Sequence, residues 1–132
     1  MSIETSIDPD GGFAHHVATG APTAADFISA LQELYADPRH APEKGGIWDL
    51  RRVDSIGVTT EDMLRIVEHI RETRGPQPGR TALVVGRDVE FGLGRMYQAY
   101  SESVVTFRVF RDWEAALAWI TQEPRPEDQE QR

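Results

Sequence analysis

Residues 46–60 constrain the fold of this chain most strongly, because they join a buried strand to the start of a helix. The apolar run around Ile47 and Trp48 predicts the strand, and Thr59 or Thr60 suits the first, capping position of a helix. In open α/β sheets, ligands and regulatory chemistry gather at such carboxyl ends of strands. The segment therefore predicts an α/β fold and shows where function should first be sought.

Strand and helix patterns alternate through the rest of the chain. Period-two stretches separated by turn residues predict an opening β-hairpin, and residues 81–85 form a continuous apolar strand typical of buried parallel sheets. Apolar stripes at helical spacing predict helices that begin near Thr23, Thr59, Val89 and Asp112. The order ββαβαβαβα predicts a single-domain α/β fold, with a mostly parallel sheet and an antiparallel N-terminal hairpin strand.

Composition and length indicate one soluble domain. We expect this domain to span residues 1–121, and residues 122–132, rich in Pro, Glu, Gln and Asp, to form a disordered acidic tail. The net charge of −8 disfavours non-specific binding to nucleic acid or to an anionic membrane. The chain has no cysteine, no signal-peptide pattern and no apolar run long enough to span a membrane, so we expect a cytoplasmic protein.

The ordered set of segments resembles the SpoIIAA-like family, usually described as STAS/SEC14-type domains. The resemblance covers nearly the whole domain and implies a sheet built from successive β-α turns, with no established enzymatic activity. Five segments carry it, namely residues 48–53, 59–62, 83–85, 91–96 and 109–119.

The resemblance also implies a candidate phosphoacceptor. In STAS anti-sigma-factor antagonists, a partner kinase phosphorylates a serine after the third strand, and Thr59 lies near the corresponding position. Thr60 and Ser55 are further candidates in the same connection, residues 55–60. A phosphate at a helix N-terminus is electrostatically favourable, although capping of the helix is an alternative role for these hydroxyl groups.

Catalytic, metal and cofactor sites find little support in the sequence. Asp49 and Asp54 are too few to hold a hard cation, and we expect Asp49 to accept hydrogen bonds from loop amides. His15 and His16 are neighbours on a strand, so their side chains point to opposite faces and do not share a metal ion. The pair Gly92 and Gly94 lacks the third glycine of a dinucleotide fingerprint. We therefore expect no metal, no cofactor and no enzymatic activity.

The predicted third helix, residues 89–100, carries the best candidate contact surface. Two glycines weaken this helix, and its aromatic and apolar residues exceed what one helix face buries. Core packing is the alternative explanation. The candidate surface consists of Phe91, Gly92, Gly94, Met96, Tyr97 and Tyr100.

Two functions remain open at this stage. The first is a non-catalytic, cytoplasmic, regulatory domain that acts through protein contact, as a homodimer or with a kinase or other regulator, and is switched by phosphorylation in residues 55–60. The second is a module that binds a lipid or small apolar molecule in a pocket between residues 89–100 and the sheet.

Overall fold

A computed structural model describes residues 2–122 of the protein. This part of the chain forms five strands, four α-helices and one short 3-10 turn at Pro42–Lys44. The strands are β1 (Ile3–Ile7), β2 (Ala14–Gly20), β3 (Gly46–Val53), β4 (Arg80–Val84) and β5 (Thr106–Phe110). The helices are α1 (Ala24–Ala36), α2 (Thr60–Thr73), α3 (Asp88–Ser101) and α4 (Trp113–Thr121).

The five strands form one sheet in the order β1-β2-β3-β4-β5. β1 pairs antiparallel with β2, and each later neighbour pairs in parallel. This confirms the predicted order ββαβαβαβα and the predicted antiparallel edge strand. β3, β4 and β5 are added in order in one direction across the sheet, and right-handed connections between such strands place their helices on the same face. The helices α1, α2 and α3 therefore form one layer, and α4 covers the other face.

The core is divided between the two faces. The larger cluster lies under the layer of three helices and includes Trp48, Leu50, Ile66 and Val109. The smaller cluster lies under α4 and includes Ile47, Ala82, Val84, Ala116 and Ile120. Trp48 and Ile47 are adjacent in β3, so the alternation of the strand supplies both clusters.

Side-chain caps start three of the helices where the sequence predicts them. Thr23 and Thr59 each accept a hydrogen bond from the backbone N–H three residues later, and Asp26 and Asp62 complete the two capping boxes. Asp112 caps α4. The prediction for β4 is shifted by one residue, because Val85 is buried but follows the last paired residue of the strand.

A close approach of two loops fixes the amino ends of β3 and β4. Gly45 has φ +69°, and a Cβ at this position would lie 2.0 Å from the Arg80 carbonyl oxygen. Only glycine fits both the conformation and the space. The predicted tail, residues 122–132, lies outside the described residues except for Gln122, and its disorder stays a prediction.

Candidate functional site

A cavity of about 140 Å³ lies between the sheet and the layer formed by α1, α2 and α3. Residues near the amino ends of β3 and β4, such as Gly46 and Gly79, line one end. Ile56 and Val58, which follow the carboxyl end of β3, line the other. An apolar cavity of comparable size in another protein accommodates a benzene molecule, so this volume suits a small ligand.

The cavity walls are mainly apolar, and several are aromatic. Trp48 forms part of the floor, with the Phe27 ring centroid 5.6 Å from it. Phe107 from β5 and Tyr97 from α3 meet edge to face, with their ring centroids 4.9 Å apart. Such walls with a few polar groups are typical of small-molecule sites.

Short side chains on the sheet help to explain the empty volume. Ala14 begins β2 and pairs with Gly46 at the start of β3, and both residues line the cavity. A Cβ at Gly46 would lie 3.1 Å from the Ala14 Cβ, so the sheet has little room for a larger side chain at this point. The neighbouring helices therefore face a shallow depression in the sheet surface.

His16 is the most deeply buried polar side chain of the cavity wall, at 1% exposure. Its ring stacks on Trp48, with centroids 3.7 Å apart and an interplanar angle of 17°. Its Nδ1 atom lies 2.9 Å from the Thr5 hydroxyl oxygen. Burial, assisted by His15 and His40, lowers the pKa of His16 to about 3, so the imidazole is neutral near pH 7.

Two tyrosines also contribute to the cavity wall. Burial raises the pKa of Tyr97 well above its ordinary value, and the pKa of Tyr35 is raised by burial despite the nearby Arg74. The Arg74 guanidinium lies 4.8 Å from the centroid of the Tyr35 ring. Both phenols therefore stay protonated at neutral pH and add hydroxyl groups but no charge.

The carboxyl group in the cavity wall belongs to Glu90, which is 2% exposed. Arg87 binds it with two hydrogen bonds, Nε to Oε1 at 2.7 Å and Nη2 to Oε2 at 2.9 Å. The same guanidinium donates to the Asp54 carbonyl oxygen at 2.5 Å. Glu90 is therefore paired, and Arg87 connects the cavity wall to the segment after β3.

The six candidate residues on α3 separate into an inner and an outer group. Gly94 and Tyr97 line the cavity, and Phe91 packs against the larger core cluster. A Cβ at Gly94 would lie 2.8 Å from both Leu83 Cδ2 and Val109 Cγ2, which gives this glycine a packing role.

The outer group is Gly92, Met96 and Tyr100, which lie on the exposed side of α3. Nothing lies within 4 Å of a Cβ built at Gly92. Val89, 60% exposed, extends this apolar strip toward the start of the helix. The candidate surface of the sequence is thus divided between a cavity wall and a solvent-facing strip.

The three candidate phosphoacceptors differ in their surroundings. The Thr59 hydroxyl accepts a hydrogen bond from the Asp62 backbone N–H at 3.1 Å, so it is already used in capping. Ser55 and Thr60 are exposed, and within residues 2–122 their hydroxyl groups have no hydrogen-bond partner. All three lie in or beside the segment that carries the cavity residues Ile56 and Val58.

Asp49 lies on the opposite face of the sheet and has a different role from the one predicted. Its carboxylate accepts from the Arg51 backbone N–H at 3.1 Å and from the Arg51 guanidinium at 2.9 and 2.8 Å, rather than from loop amides. Burial would raise the pKa of Asp49, but these hydrogen bonds lower it below its ordinary value. The Arg51 guanidinium lies over Trp113, 5.2 Å from the ring centroid, and the His15 ring centroid is 5.1 Å from that of Trp113.

Within residues 2–122, no group of three or more His, Asp or Glu side chains is placed to hold a metal ion. None of the helices in this range is long and apolar enough to cross a membrane.

Comparison with known proteins identifies the fold. No family model and no curated protein matches the chain. Among solved structures, it is similar to an uncharacterized protein of the DUF3478 family with a SpoIIAA-like fold, from Shewanella loihica PV-4. The two are 20% identical with a TM-score of 0.58, over 89% of this chain and 91% of that chain. The chain has a SpoIIAA-like fold. This confirms the fold that the sequence resemblance implied.

The residues that line the cavity were only partly identified from the sequence. Sequence reasoning found Gly94 and Tyr97 and did not find His16 or Glu90 as site residues. The available signal for His16 was its place in β2, where it shares one face with Ala14 and Ala18. A polar side chain between two small apolar ones on a buried face needs a specific partner.

Proposed function

We propose that this protein is a non-catalytic binding domain that holds a small apolar ligand between its sheet and the layer of α1, α2 and α3. The cavity of about 140 Å³ is the observation that carries this proposal. A concave apolar site with a few fixed polar groups is the usual form of a small-molecule site. The carboxylates of Asp49 and Glu90 are each bound by an arginine, which supports a binding role over acid–base catalysis.

Titration with toluene, followed by methyl NMR, tests this proposal. We expect saturable shifts for methyl groups of the cavity wall, such as those of Leu31 and Ile66, and none for the exposed Leu64. Leu93→Trp places a larger ring in the cavity wall and should weaken toluene binding at least tenfold. Leu64→Trp is the matched control outside the cavity and should bind toluene like the wild type.

Two outcomes of this titration would contradict the binding proposal. One is the absence of saturable shifts in a wild-type protein that is folded by circular dichroism. The other is toluene binding that a folded Leu93→Trp variant leaves unchanged. Native mass spectrometry of gently purified protein then tests for a physiological ligand, which appears as a reproducible added mass.

A second candidate function is regulation through protein contact in the cytoplasm. Two observations favour it. The hydroxyl groups of Ser55 and Thr60 are exposed and have no hydrogen-bond partner among residues 2–122, and α3 carries the exposed apolar strip of Val89, Gly92, Met96 and Tyr100. Phosphorylation of Ser55 would place a dianion next to Asp54, whose carbonyl group binds Arg87, and this guanidinium could partly balance the charge. Homodimerisation through the strip belongs to the same candidate function.

Light scattering and peptide mass spectrometry test this second candidate. Self-association predicts a concentration-dependent mass that Met96→Glu lowers and that Leu64→Glu, a control on exposed α2 surface, leaves unchanged. A monomer at all concentrations would contradict self-association. Peptides covering residues 55–60 that stay unmodified under varied growth conditions would contradict the phosphorylation switch.

A further inference from the structure

We propose that His16 forms the polar contact with the bound ligand, and that the ligand is an uncharged single-ring aromatic molecule carrying a hydroxyl group. This inference rests on the proposed function, because it concerns the same cavity. It specifies the chemical class of the ligand and the atom that recognises it, the His16 Nε2. Four observations support it: the fixed position of the ring, its free nitrogen, the charges of the wall, and the size and shape of the space.

The position of the His16 ring is fixed on two sides. Thr5 in β1 contacts Nδ1 at 2.9 Å, and Trp48 in β3 stacks on the ring face. His16 therefore sits between its two neighbouring strands and has little freedom to rotate. A polar group that is held this firmly before a ligand arrives loses little conformational entropy on binding.

The second ring nitrogen, Nε2, is free to bind a ligand. Within residues 2–122, no side chain or backbone group forms a hydrogen bond with it. The His16 side chain is 1% exposed and lines the cavity, so Nε2 is largely removed from bulk water, and a ligand that supplies a hydrogen bond to it is selected over one that does not. If Thr5 donates to Nδ1, then Nε2 carries the proton, and in the other tautomer Nε2 accepts. A hydroxyl group complements both forms.

The charges around the cavity exclude an ionised ligand. Among the described residues that line the cavity there is no lysine and no arginine. Glu90 is negative and is already bound by Arg87. Burial lowers the pKa of both histidines in the wall, His16 and His40, so neither offers a positive charge at neutral pH. A carboxylate or phosphate would therefore be buried without a counter-ion, which is strongly unfavourable. The same holds for an ammonium group, because the Glu90 carboxylate is already paired with Arg87.

The size and the walls of the cavity favour one aromatic ring. About 140 Å³ is similar to the volume of a known cavity that binds benzene, and it is too small for a long acyl chain. The aromatic residues Trp48, Phe27 and Phe107 line this space. Aromatic rings pack against one another in offset or edge-to-face geometry, with a gain beyond that of buried area.

Three probes of similar size separate the parts of this inference: toluene, p-cresol and benzoate. We expect wild-type protein to bind toluene and p-cresol at pH 7, and to bind benzoate at least tenfold more weakly than p-cresol. The ratio of the toluene Kd to the p-cresol Kd should fall about fivefold in His16→Phe, because one hydrogen bond is lost. Comparing ratios removes the difference in hydration between the two probes.

Each result bears on a different claim. If neither toluene nor p-cresol binds, the proposed function fails. If both bind but the ratio is the same in wild type and His16→Phe, the cavity binds ligands and the role of His16 is overturned. If benzoate binds as tightly as p-cresol, the uncharged class is overturned.

A measurement on the unmodified protein covers the case in which His16→Phe does not fold. In ¹⁵N-labelled wild type, saturation with p-cresol should shift the His16 Nε2 resonance more than saturation with toluene does. The His15 ring nitrogens, on the opposite face of the sheet, serve as the internal control and should shift little with either probe. Equal His16 shifts with the two probes would overturn the proposed hydrogen bond.

Discussion

The two faces of the sheet are covered in different ways. On one face, α1, α2 and α3 form a layer that reaches from β1 to β5 and leave a cavity of about 140 Å³. On the other, α4 packs its small and branched residues directly on the central strands. That second contact is formed by Ile47, Ala82, Val84, Ala116 and Ile120. A single helix close to the sheet gives continuous packing, whereas three helices bridging a depression at Ala14 and Gly46 do not.

Two adjacent histidines show how strongly the face decides the role of a residue. His15 lies on the α4 face, with its ring centroid 5.1 Å from that of Trp113. His16 lies on the cavity face, is almost completely buried and stacks on Trp48. One step along β2 therefore separates a partly buried aromatic contact beside α4 from a neutral polar group in the cavity wall.

The largest expected effect tests where α3 touches the cavity face. Gly94→Val should lower the free energy of unfolding by about 2–3 kcal/mol, because its methyl groups would overlap Leu83 and Val109. Gly92→Val is the matched control on the open side of the same helix and should change it by less than about 0.5 kcal/mol. Urea unfolding measures both, and equal effects would contradict the division of α3 into inner and outer sides.

The second effect compares the two histidines by pH. The pKa of His16 is lowered to about 3 in the folded chain, so below pH 6.5 the unfolded chain binds a proton that the folded chain does not. Stability therefore decreases as pH falls from 6.5 toward 3, and the His16 contribution between pH 7 and pH 5 is a loss of about 2 kcal/mol.

Urea unfolding at the two pH values checks this effect. His16→Gln should lose this part of the pH dependence, whereas His15→Gln should retain it. A pH dependence that is the same in His16→Gln and in the wild type would contradict a buried, neutral His16.

The third effect tests the α4 face. Arg51→Ala leaves the Asp49 carboxylate, whose side chain is 6% exposed, without its guanidinium partner. We expect a loss of about 1–2 kcal/mol in the free energy of unfolding, moderated because Arg51 itself is partly exposed. Arg52→Ala, one residue along on the exposed part of β3, should change stability by less than about 0.5 kcal/mol. Thermal unfolding of the two variants provides the comparison, and equal midpoints would be evidence against the ion pair.

The smallest effect distinguishes the two threonines of the segment that joins β3 to α2. Thr59→Ala removes the hydroxyl cap of α2 and should reduce stability by about 1 kcal/mol. Thr60→Ala removes a hydroxyl group that forms no hydrogen bond within the described residues, and it should have an effect below about 0.5 kcal/mol. Denaturant midpoints test this difference. A larger loss of stability in Thr60→Ala than in Thr59→Ala would contradict the assignment of Thr59 as the cap of α2.

Most of the fold was predictable because its signals are local. The alternation of strand and helix patterns, the caps at Thr23, Thr59 and Asp112, and the opposite faces of His15 and His16 follow from periodicity and hydrogen-bonding chemistry. The one-residue shift of β4 reflects where the paired register ends: Val85 is buried and its N–H still donates to the Phe110 carbonyl oxygen at 2.9 Å, but Val84 is the last residue of β4 with a partner in β5.

The site was less predictable because a cavity depends on the distance between layers. Glycine and aromatic residues on α3 indicated an unusual helix, yet only the packing shows that Gly94 faces Leu83 while Gly92 faces open space. The pairing of Glu90 with Arg87, three residues apart around a helix start, also depends on which side of the helix faces the sheet. Sequence spacing suggests such a pair but does not place it in a cavity wall.

A crystal structure determined under xenon pressure tests the difference between the two faces most directly, because xenon enters dry apolar cavities. We expect a xenon atom between the sheet and the layer of α1, α2 and α3, close to Trp48 and Tyr97, and none beneath α4. Xenon absent from the cavity face, or bound beneath α4 instead, would contradict this expectation.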